Sequence, residues 1–227
     1  MNKGFHKYQH NYIRVSERGN AMVYILVALA LFGFLTVTLS RQNQQADSRT
    51  LNKENLNLYV NEIIEYTIAA GQTIDRMLIT GSEVSDLDFT KPNEAGFDAP
   101  PHIHKVFHPQ GGGLNYQDKP TKPIQNTADS VWDFNSNINV EWTPSTENDV
   151  ILTAYHINKS ICERINITIT GSSVIPVTNA AHNEYFLNTG TRDLDITECA
   201  DCEGRPALCV ENSASDNYSY YQILEGQ

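Results

Sequence analysis

The most continuous hydrophobic feature of the chain is a block near its N-terminus. From Ala21 to Leu39, nineteen residues carry no charge and no proline. As a helix that block is roughly 29 Å long, close to the hydrocarbon thickness of a bilayer, and it is expected to form a transmembrane helix. Further along, apolar positions recur in steps of four and three: Leu56, Val60, Ile63, Thr67, Ala70, Ile74 and Met77. That is one face of a helix, widened by Leu58, Ile64, Ile68 and Leu78 into a core-facing surface. Gly81 follows as a stop signal. No proline precedes Pro92, and the polar stretch between the two patterns is rich in helix-tolerant Gln, Lys, Glu and Arg. The spacing predicts one helix from about Asn20 to Thr80, or two helices with a break between Asn43 and Asn52.

Beyond that helix the pattern fragments. Residues 82–130 hold six of the nine prolines and the run Gly111–Gly113, which predicts loops with short strands at Ile103–Phe107 and Leu114–Gln117. Val131–Phe134 and Ile138–Trp142, joined by Asn135–Asn137, read as a hairpin. Asn148–Ile165 reads as a helix capped by Ser145 or Asn148, with Ile151, Leu152, Tyr155, Ile161, Cys162 and Ile165 inward. Tyr185–Leu187, Ala207–Glu211 and Tyr218–Leu224 read as strands, the last two joined by a polar turn. A long N-terminal helix packed on an antiparallel β-sheet head is an α+β arrangement. The expected divisions are a leader (1–19), a transmembrane helix (20–40), its continuation onto the head (41–81) and an α+β head (82–227).

Charge sharpens these divisions. The formal net charge is −11. Residues 1–19 carry Lys3, Lys7, Arg14 and Arg18 against Glu17, whereas beyond Leu39 there are 12 basic and 26 acidic side chains. Basic residues before an apolar block place the N-terminus in the cytoplasm and the body across the membrane. An acidic body is unsuited to nucleic acid, whose phosphates need clustered Lys and Arg. A hydrophobic content of 40% excludes wholesale disorder. A cleaved secretory signal would be shorter and end on a small-x-small site, and none follows Leu39. A plain signal anchor stays open.

The junction narrows the reading. A charged leader, then Ser16-Glu17-Arg18-Gly19, then an immediately apolar helix resembles the class III leader of type IV pilins and type II secretion pseudopilins. The resemblance covers residues 14–60, and the rest in architecture only. It implies that a prepilin peptidase cuts after Gly19 and leaves Asn20 as the new N-terminus. It implies a single-pass protein of the bacterial inner membrane, anchored in the lipid bilayer, with a cytoplasmic N-terminus and a periplasmic head. The helix would later pack against other pilin-like subunits. In that family the mature chain begins with Phe or Met and has Glu fifth; here these positions are Asn20 and Tyr24. The absent Glu, thought to pair with a neighbouring subunit's terminal amine, implies a minor subunit at a filament tip or a chain that does not assemble. The implied function is a membrane-anchored structural subunit of a pilus or secretion filament. The alternative is an uncleaved bitopic envelope protein whose head binds a ligand or partner.

Four cysteines, Cys162, Cys199, Cys202 and Cys209, all lie in the body. An even count in a translocated domain favours disulfides. Of three pairings, Cys162–Cys209 with Cys199–Cys202 would tie the expected helix to a late strand and close a small loop. A four-Cys zinc site and a redox-active Cys-x-x-Cys are the alternatives. His102 and His104 share strand spacing, with His108 nearby, but no carboxylate lies within the motif to complete a metal set. Gly111–Gly113 precedes no Lys-Ser/Thr and is expected to be a loop rather than a phosphate cradle. Asp86, Asp88, Asp193, Asp195 and Glu198 offer calcium-type oxygens or a solvated surface. Tyr218, Tyr220 and Tyr221 are expected to pack a sheet. There is no Gly-x-Ser-x-Gly. The expectation is a protein that is not an enzyme and holds no cofactor or metal.

Overall fold

The computed structural model describes residues 20–118, 132–179, 181–190, 192–213, 215 and 217–227, with the side chains of 20–22 and 35–52 set aside. The leader with its cut after Gly19, and Val131 of the expected hairpin, lie outside the described residues. The chain divides into two compact units, Met1–Asn52 and Lys53–Gln227. Helix α1 spans Asn20–Ile79. In the first unit its side chains are described over Val23–Phe34. Among the described residues no helix is long and apolar enough to cross a membrane. This overturns the expected transmembrane half and, with it, the single-pass inner-membrane placement.

In the second unit α1 buries the stripe Val60, Ile63, Ala70, Ile74 and Met77. The helix stops at Gly81, whose φ of 105° is open to glycine alone at little cost. The Gly81 amide donates to the Leu78 carbonyl and the Ser82 amide to the Met77 carbonyl, which satisfies two of the last orphan acceptors.

Five strands form the sheet: β1 (Trp132–Ile138), β2 (Asp149–Ile157), β3 (Val177–Thr178), β4 (Ala207–Asn212) and β5 (Tyr218–Glu225), in spatial order β1-β2-β5-β4-β3. Every pair is antiparallel except β3–β4. The sheet is therefore mixed, a correction to the antiparallel sheet expected. The long connection from Thr178 to Ala207 makes the parallel pair possible, since parallel neighbours need a crossover rather than a tight turn.

Three local expectations also change. The expected hairpin is one strand, because β1 continues through Asn135–Asn137, with a shift of register against β2 between Asn135 and Ile138. The Asn135 amide donates to the Tyr185 and Leu187 carbonyls at 2.9 and 3.1 Å, and its oxygen accepts from the Asn137 amide. A polar triplet thus stays in a strand because it is satisfied there. The expected helix over Asn148–Ile165 is strand β2 followed by helix α2 (Lys159–Thr170). β2 is covered on both faces, with Val150, Leu152 and Ala154 in one core and Ile151 in the other. A strand buried on both sides loses its alternation and cannot be told from a buried helix by periodicity. The expected strand at Tyr185–Leu187 is the end of a short helix, α3 (His182–Tyr185). β4 and β5 fall on the segments expected as the last two strands.

The result is three layers. α1 and α2 cover one face with Trp132, Phe134, Tyr220 and Leu224 beneath them. On the other face Tyr185, Phe186, Leu194, Cys199 and Cys202 pack against Ile138, Ile151, Leu208 and Tyr221.

β4 has a gap that a side chain fills. β3 pairs only with Glu211 and Asn212, so the outward backbone groups of buried Cys209 need another partner. Asn166 on α2 supplies it: its oxygen accepts from the Cys209 amide and its Nδ2 donates to the Cys209 carbonyl, both at 2.8 Å. The same Nδ2 donates to the Val174 carbonyl. Asn166→Ala orphans a buried donor and acceptor and is expected to cost about 2–4 kcal/mol in urea unfolding. Thr168→Ala on the exposed side of α2 is expected to cost under about 0.5 kcal/mol.

Candidate functional site

The first unit carries an unusual surface. Successive helical residues are separated by about 100°, so a ten-residue run faces every direction. From Val23 to Phe32 every residue is apolar, and the eight large side chains are 51–68% exposed. A helix that is hydrophobic all round belongs in a buried setting, and an apolar surface of this extent marks an interaction site. Tyr24, at the position where the resembled family has Glu, lies within this surface.

The four predicted cysteines fall in two places. Cys162 on α2 is bonded to Cys209 on β4, with Cα atoms 5.3 Å apart. Cys199 is bonded to Cys202 within the layer covering the second face. Both sulfur pairs are buried, and no free cysteine occurs among the described residues.

The histidines do not converge on a metal. His102 stacks on His108 with ring centroids 4.1 Å apart, whereas the His104 Nδ1 turns to the Ser82 hydroxyl. Between them Lys105 is almost wholly buried. Its ammonium donates to the carbonyls of Phe97 at 2.8 Å, Ala99 at 2.5 Å, and Gly96. Three acceptors match three donors, which offsets much of the cost of burying the charge. The glycine run serves packing: a Cβ on Gly112 would lie 2.4 Å from the Val106 carbonyl oxygen and 2.7 Å from Met77 Sδ.

The acidic clusters are spent on their own chain. Asp88 accepts from the Thr90 amide and hydroxyl. Asp195 accepts from the Thr197 amide, the Thr197 hydroxyl and the Glu198 amide; the Thr197 hydroxyl holds its carboxyl below the usual range. Asp193 accepts from the Asn139 amide. Glu198 accepts from the Tyr185 hydroxyl and pairs with Arg192. Among the described residues no group of three or more His, Cys, Asp or Glu is arranged to hold a metal ion. Tyr220 packs in the α1–β5 interface, where its hydroxyl and that of Thr67 both donate to the Gln222 side-chain oxygen. Burial pushes the Tyr220 hydroxyl up to about 12.

One pairing has no signal in the sequence. His182 on α3 places Nδ1 2.9 Å from the Ser219 hydroxyl on β5. This has the spacing of a nucleophile and its base, but both residues are wholly buried and no substrate reaches them. Its consequence is for stability. Burial pushes the His182 imidazole down to about 3 from its ordinary 6.5, with His156 adding to the effect and a bond to the Glu211 backbone opposing it. A group depressed in the folded state contributes stability above its unfolded value, and that stability drains as pH falls from 6.5 towards 3. The slope is about 1.4 kcal/mol per pH unit. Urea unfolding at pH 6.5 and 4.5 is expected to differ by about 2–3 kcal/mol more in the wild type than in His182→Gln.

No protein-family model, curated protein or solved structure matches this chain.

Proposed function

We propose that this chain is a pilin-like structural subunit that assembles with further copies of itself or with like subunits through the apolar helix surface at Val23–Phe32. The observation that carries this reading is the exposure of apolar side chains all round that helix. Burying one large apolar side chain stabilises by about 1.5–3 kcal/mol. Eight of them, even partly covered, reach the order of the roughly 4–15 kcal/mol that association costs. One neighbouring helix covers a single stripe, so a helix of this kind is best served by several neighbours. The leader motif ending at Gly19 supports trimming by a prepilin peptidase, which would leave Asn20 to open the assembly helix. The disulfide-stapled head supplies lateral contacts, and the role is structural rather than catalytic.

The test uses the full chain. Sedimentation at tens of micromolar is expected to show multimers for the wild type and monomers for Leu26→Glu/Leu29→Glu, with unchanged circular dichroism of the head. A monomeric wild type would overturn the assembly reading. N-terminal sequencing of the protein from its source is expected to begin at Asn20.

A further inference from the structure

A groove of about 440 Å³ lies along α1 in the second unit. One wall is made by Glu62, Glu65, Ala69, Thr73 and Arg76, spaced by three or four residues and so on one helix face. The other wall is the segment from Gly113 to Gln117, and the largely buried Leu114 and Tyr66 also line the groove. Residues 114–117 belong to no helix or sheet. Among the described residues the backbone of Asn115 and Tyr116 has no backbone hydrogen-bond partner.

The charges in this groove are segregated. Glu62 and Glu65 stand one turn apart towards the N-terminal end, and neither pairs with a cation among the described residues. Arg76 stands at the other end, its guanidinium steadied by donating to the Gly112 carbonyl. Along the helix axis Arg76 is about 16 Å from Glu65 and about 21 Å from Glu62. An extended chain rises about 3.3 Å per residue and covers that span in five or six residues. Main-chain hydrogen bonds give a bound extended peptide much of its affinity, and Asn115 and Tyr116 offer main-chain groups that no other described backbone takes up.

We propose that this groove binds an extended peptide segment of a partner protein. The segment carries Lys or Arg where it meets Glu62 and Glu65, and Asp or Glu five or six residues away where it meets Arg76. Its backbone pairs with Asn115, and the residue between sits over Tyr66 and Leu114. The proposal uses residues of the second unit only and does not rest on the assembly reading.

Two hexapeptide probes test the proposal in the full chain, acetyl-Lys-Thr-Val-Thr-Val-Glu-amide and its reversed sequence, since the strand direction is open. One of the two is expected to bind in an NMR or calorimetric titration. Glu62→Gln/Glu65→Gln is expected to weaken that binding at least tenfold. Those carboxylates are exposed and make no ion pair among the described residues, so this variant reads the groove rather than the fold. Arg76→Glu is expected to prefer a probe with Lys at both ends over the original probe by at least tenfold. The proposal is overturned if neither probe binds at millimolar concentration. It is also overturned if the double Gln variant binds as tightly as the wild type, or if a probe with both charges replaced by Gln binds equally well.

Discussion

Covering both faces of the central strands β2 and β5 is the constraint on which the second unit depends. Neither strand has a face left for water: Leu152 and Tyr220 look into one core, Ile151 and Tyr221 into the other. Helices alone cannot meet this demand here. α1 and α2 lie on one face, and the irregular chain between β3 and β4 must close the other. The disulfides sit where this layering is weakest. Cys162–Cys209 ties α2 to the sheet, and Cys199–Cys202 closes a turn inside the irregular cover, which has few backbone ladders of its own.

A core closed on two sides buries polar backbone as well as apolar side chains, and each such group needs a partner. The chain answers with single side chains placed for that purpose. Asn166 stands in for a missing strand beside Cys209. Asn135 holds the Tyr185–Leu187 segment to β1. Asp149, wholly buried, accepts from the Val140 and Gln227 amides and the Thr143 hydroxyl. Lys105 gathers three carbonyls of a loop that has no ladder. These contacts carry information as well as energy, because each is satisfied in one register only. Thr67 shows the same economy: it occupies an apolar stripe position, yet its hydroxyl bonds Gln222 and sets how α1 lies on β5.

The two candidate interaction surfaces differ in physical kind. The Val23–Phe32 surface offers area without direction, since apolar burial is proportional to surface and indifferent to orientation. The groove beside α1 offers direction without much area, through segregated charges and main-chain groups that no other described backbone takes up. The buried groups with the most reactive geometry, His182 and Ser219, serve neither purpose, because the packing that brings them together also seals them in.

By itself the sequence determined those features whose signal is local. The four-three stripe of α1 and its stop at Gly81 follow from side-chain period and backbone sterics, and strands β4 and β5 from short apolar or tyrosine-rich runs joined by a polar turn, all of which neighbours in sequence settle. The hydropathy of residues 21–39 pointed to a membrane-spanning helix, a reading that fails because no helix among the described residues is long and apolar enough to cross a membrane. Only the tertiary structure decided the rest. β2 read as a helix because burial on both faces erases alternation. The triplet Asn135–Asn137 read as a turn because the carbonyls that satisfy it lie some fifty residues away. The parallel pairing of β3 and the walls of the groove come from segments far apart in the chain. The physical reason is common to all of these: a polar group's partner and a strand's second face are supplied by packing, and packing is a property of the folded chain rather than of any window along it.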